Sequence, residues 1–90
     1  MDITVQVKAT AADEAEAAVT ELLIKLPEPV RKLARAEAVF PGLTSGRRAG
    51  LVTVHITDKA SPQDRDVILR ALRASSRVTA AEFPKARRPL

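Results

Sequence analysis

Two short stretches of strict alternation constrain this chain more than anything else in it. Ile3, Val5 and Val7 alternate with Thr4, Gln6 and Lys8; Val52, Val54 and Ile56 alternate with Thr53, His55 and Thr57. A period of two sends successive side chains to opposite faces, so each stretch predicts a strand with one buried face. Each leads into apolar residues at helical spacing. After the first come Ala15, Ala18, Val19, Leu22, Leu23 and Leu26, within a helix expected over 11–26. After the second come Val67, Ile68, Ala71 and Leu72.

The punctuation agrees with this division. Thr10 is the expected N-cap of the first helix, with Asp13 three residues on as its capping-box partner. Pro27 and Pro29 stop that helix. Ser61-Pro62 opens the second, with Asp64 completing the cap. Residues 31–40, RKLARAEAVF, favour a helix on propensity alone. Pro41-Gly42 closes the segment and a strand follows soon after, so an edge strand is expected. Pro41 to Gly50 holds three glycines and two arginines and reads as a flexible connection. Val78 to Phe83 reads as the last strand, and Pro84 and Pro89 keep the residues after it out of a sheet interior.

The order β-α-β-β-α-β predicts an α+β, ferredoxin-like sandwich. It has a four-stranded antiparallel sheet in the order 4-1-3-2, with both helices on one face. The expected division is a folded domain over 1–83 and an extended C-terminal tail over 84–90. The second sheet face is left uncovered, and Thr4, Gln6, Lys8, Thr53, His55 and Thr57 are expected there.

Ninety residues make one domain. Phe40 and Phe83 are its only aromatics, so the core must be aliphatic. With no cysteine there is no disulfide, thiolate metal site or Cys nucleophile. The opening MDITVQVK lacks the apolar run of a signal peptide. No stretch approaches the roughly 20 apolar residues of a membrane span. As written, the chain is expected in the cytoplasm; a fragment of a longer secreted precursor would read the same. The net charge is +4 and the pI about 10.1. Arg47-Arg48 and Lys85, Arg87 and Arg88 carry much of the excess, which favours an acidic partner surface.

Nothing in the pattern points to catalysis. His55 is the one histidine, on the outer face of a strand, with no partner base or further ligands evident from the sequence. No cofactor or metal is expected. Asp13, Glu14 and Glu16 begin a helix, where they favour its dipole. The loop from Gly42 to Arg48 lacks the GK[ST] ending of a phosphate loop. RNA-recognition domains of this topology stack bases on aromatics of the central strands. Those strands here carry none, which leaves a nucleic acid only an electrostatic contact. A homodimer through the sheet, or an edge strand added to a partner, is the alternative reading.

Val39-Phe40-Pro41-Gly42-Leu43, Leu51-Val52-Thr53-Val54, Ala71-Leu72-Arg73-Ala74-Ser75-Ser76-Arg77-Val78 and Ala81-Glu82 together resemble the propeptides of subtilisin-like serine proteases. The resemblance implies a non-enzymatic chaperone and inhibitor whose open sheet face, here with Thr53 and His55, packs on the protease. It implies that Glu82, at the end of the last strand, caps helix N-termini on the enzyme. It further implies that the tail lies in the substrate cleft as an added strand. Leu90 would then fill the primary specificity pocket and Pro89 the next subsite, with Arg88 and Arg87 following. Arg87 and Phe83 depart from the family's usual residues at their positions.

Overall fold

The alternating stretches form the two central strands of one antiparallel sheet. In the computed structural model, which describes residues 2–83, β1 spans Asp2–Val7 and β3 spans Leu51–Ile56. They pair with Asp2 opposite His55, Thr4 opposite Thr53 and Gln6 opposite Leu51. β2 (Ala34–Ala38) borders β3, and β4 (Val78–Glu82) borders β1. The sheet order is β2-β3-β1-β4, the expected order read from the other edge. Helices α1 (Ala12–Ile24) and α2 (Pro62–Ala74) complete the α+β, ferredoxin-like βαββαβ arrangement.

Ile3, Val5, Val52 and Val54 are fully buried, and Val7, Ile56 and Ala81 nearly so. These residues share one sheet face. Ala15, Val19 and Leu23 of α1 and Ile68 and Leu72 of α2 pack against it. Each buried Val, Leu or Ile contributes roughly 1.5–3 kcal/mol relative to exposure. No charged or polar residue is buried among those described. The fully buried side chains of this face are all aliphatic, with Phe83 packing partly against them.

The two helices start differently. Ser61 caps α2 as expected: its hydroxyl accepts from the Asp64 amide at 3.1 Å, and the Asp64 carboxylate accepts from the Ser61 amide at 3.0 Å. At α1 the expected Thr10 cap is not made. Ala11 holds the N-cap position, with no side-chain bond to the helix. The Ala12 amide donates instead to the Leu43 carbonyl at 2.8 Å, while the Thr10 hydroxyl turns to Glu14. A main-chain oxygen from the β2–β3 connection thus satisfies an orphan donor that a local side chain was expected to serve.

The apolar stripe of α2 is also narrower than expected. Ile68 and Leu72, four residues apart, are fully buried, whereas Val67 lies a hundred degrees around the helix and is 41% exposed. Leu69 flanks the stripe on the other side and packs partly against the core.

The β2–β3 connection is more ordered than its glycines suggested. Arg47–Gly50 forms a 3-10 turn, and the Gln6 side-chain amide donates to the Arg47 carbonyl at 3.0 Å. Gly50 is required by close packing: a Cβ there would stand 2.2 Å from the Val7 carbonyl oxygen. Before β2, the chain passes Pro27 and Pro29 and a 3-10 turn over Val30–Leu33. β2 itself is a short edge strand, as expected, starting later than residue 31 and ending before Phe40.

Candidate functional site

The uncovered sheet face is built from the residues that alternate with the core. Asp2, Thr4 and Gln6 come from β1, and Leu51, Thr53 and His55 from β3. Arg35 and Glu37 come from β2, and Ala80 and Glu82 from β4. Register sorts them into transverse rows. Arg35, His55 and Asp2 form one, and Glu37, Thr53, Thr4 and Glu82 a second. Leu51, Gln6 and Ala80 form a third. Lys8 and Thr57, expected on this face, fall just beyond the ends of their strands.

His55 has the partners that the sequence did not disclose. Its Nδ1 lies 3.1 Å from Asp2 Oδ1, and its Nε2 lies 2.8 Å from Glu37 Oε2. A carboxylate only accepts, and a neutral imidazole carries one N–H, so a neutral ring serves one carboxylate at a time; the imidazolium serves both. Asp2 and Glu37 lie 53 and 18 residues away from His55, and pairing on both sides of β3 brings them in. The parity of β1 already put Asp2 with Thr4 and Gln6, and the alternation of Arg35 and Glu37 in ARAEA put Glu37 on this face. Extending the pattern one step in each strand finds both. Among the described residues, no three metal-ligating side chains are placed to hold a metal ion.

Glu82 sits exposed at the end of β4, opposite Thr4. Thr53 lies between Glu37 and Thr4 in the same row. Thus three of the expected site residues, Thr53, His55 and Glu82, share one face. The remaining four, Arg87, Arg88, Pro89 and Leu90, lie outside the described residues. The face carries three carboxylates, Asp2, Glu37 and Glu82, against one guanidinium, Arg35. Locally it is acidic, although the whole chain is basic.

One main-chain group on each edge of the sheet is engaged by a helix side chain. Val39 donates inward to Leu51, so the neighbouring Ala38 amide points out of the sheet, and there it donates to the Glu16 carboxylate of α1 at 3.2 Å. On β4 the Ala81 carbonyl accepts from Arg73 Nε of α2 at 3.0 Å. An acid on an edge amide and a base on an edge carbonyl each occupy main-chain groups that an added strand would use.

Arg47 and Arg48, adjacent in sequence, go to different places. Arg48 lies over the Phe40 ring, 5.9 Å from its centroid. Arg47 lines a cleft of about 510 Å³ with Gln6, Val7, Lys8, Ala9 and Thr79. Among the described residues no helix is long and apolar enough to cross a membrane. Compared with protein-family models, curated proteins and solved structures, the chain matches none.

Proposed function

We propose that this domain is a non-enzymatic docking module that binds a protein through its open sheet face. The resemblance of its sequence points to a subtilisin-like serine protease as the partner, which the domain would inhibit and help to fold. The observation that carries the reading is the face itself: polar and charged side chains in register, with Glu82 exposed at the end of the last strand. A carboxylate so placed suits the amide-rich N-terminus of a helix on another protein. A main-chain group already occupied on each edge favours the face over strand addition as the route of contact.

Size adds a requirement. Four strands about 4.8 Å apart and about five residues long cover roughly 19 by 17 Å, on the order of 300 Å². A standard interface takes about 800 Å² from each partner. The face must therefore act together with surfaces beyond it, and the tail in a substrate cleft is the expected supplement.

Titration of a broad-specificity subtilisin with the full chain tests the proposal. Inhibition is expected, and Glu82→Ala should weaken it about tenfold or more, the loss of one charge-assisted contact. The variant's melting temperature should stay within about two degrees, since an exposed residue leaves no cavity. Equal inhibition by both forms would remove Glu82 from the docking role. Concentration-dependent dimerisation with no inhibition would favour a self-associating domain instead.

A further inference from the structure

A cleft lies beside the C-terminal end of β1. Two cationic residues, Lys8 and Arg47, are among its described lining, and no acidic residue is. The hollow lined by Lys32 and Arg35 also has no acidic residue in its lining, but Arg35 there pairs with Glu37. Arg31, Arg35, Arg70 and Arg77 each pair with an acidic side chain, and Arg48 lies over Phe40. Neither the Lys8 ammonium nor the Arg47 guanidinium has an acidic partner among the described residues. The wall between them is fixed. The Gln6 amide holds the Arg47 carbonyl, the Thr79 hydroxyl donates to the Gln6 carbonyl at 3.1 Å, and Gly50 lets the chain pass close to Val7.

Two cationic residues lining one cleft, neither paired with an acid among the described residues, suit an anionic group. Arg offers a planar fork and Lys a mobile point charge, the pair of donors that carboxylates and phosphates both use. The surroundings decide between these. Gln6 and Ala80 form the end row of the open face, and Gln6 also lines the cleft, so cleft and face are continuous. Beyond that row stand Asp2, Glu37 and Glu82. A nucleic-acid backbone, with its closely spaced phosphates, would be repelled on leaving the cleft across that face. A protein can present an acid at one end of its surface and donors at the other.

We propose that the Lys8–Arg47 cleft takes a carboxylate from an acidic segment of the protein partner. This rests on the docking reading above and supplies part of the interface that the face alone lacks. The experiment uses the free chain and no protease, so it reads the cleft even if subtilisin proves not to be the partner. Acetylated tetraglutamate amide is titrated into isotope-labelled protein, and amide shifts are followed by NMR. Saturable shifts are expected at the Gln6 side-chain amide, Lys8 and Thr79. They should weaken tenfold or more in a Lys8→Gln/Arg47→Gln double variant and persist in Arg70→Gln. Well-dispersed spectra of the double variant would show that it folds. Unchanged affinity in the double variant would overturn the proposal. So would stronger binding of inorganic phosphate, or of a short single-stranded DNA of equal charge.

Discussion

The two faces of the same sheet follow opposite rules. In β1, Ile3 and Val5 are fully buried while Thr4 between them is exposed. The helix-covered face is held by shape: aliphatic side chains, no buried polar group, and helices tied on by packing. The open face is held by register: its contacts, such as Asp2–His55–Glu37, exist only because three strands bring distant residues side by side. Stability is therefore concentrated on one side, and the other is free to carry charge and contacts for a partner. A site can change there with little effect on the fold.

Neighbouring substitutions test this contrast. Ile3→Ala should cost about 2–5 kcal/mol, the range for a large-to-small change in a packed core, and lower the melting temperature by on the order of ten degrees or more. A loss below about 1 kcal/mol in denaturant unfolding would mean that the core is loosely packed. His55→Ala should cost only about 0.2–1 kcal/mol, because its carboxylate contacts are partly solvated and screened. A larger loss would show that the open face also supports the fold and would weaken the division drawn here. Thr4→Ala, one residue from Ile3, should lie within about 0.5 kcal/mol of the parent.

The sequence disclosed what depends on local spacing. The period of two in β1 and β3, the Ser61-Pro62-x-Asp64 cap and the Pro-Gly break after β2 led to the fold and the strand order. It concealed what depends on pairing between distant segments. Thr10 had the right chemistry for a cap, but a carbonyl 31 residues beyond Ala12, that of Leu43, took the role. Val67 is apolar and at helical spacing, yet the sheet accepts only the narrower stripe of Ile68 and Leu72. His55 looked solitary because both carboxylates reach it across strand boundaries. Arg47 and Arg48 looked like a pair because adjacency in sequence says nothing of the direction each side chain takes in a 3-10 turn. On the open face, parity alone identified Thr4, Gln6, Thr53 and His55; only register could say which of them are neighbours.

The side chains on the edge strands have a further consequence. Glu16 and Arg73 belong to the helices, yet the main-chain groups they occupy belong to the sheet's borders. Loosening of either helix would free a main-chain group on a border while the strands remained paired. A nearly native form, with its sheet intact, would then present a free border group through which copies are expected to associate. Arg73→Ala should raise light scattering on concentration while shifting the midpoint of unfolding little; a clear solution at high concentration would break this link. Helix docking, which seals the oily side of the sheet, in this way also occupies a main-chain group at each of its borders.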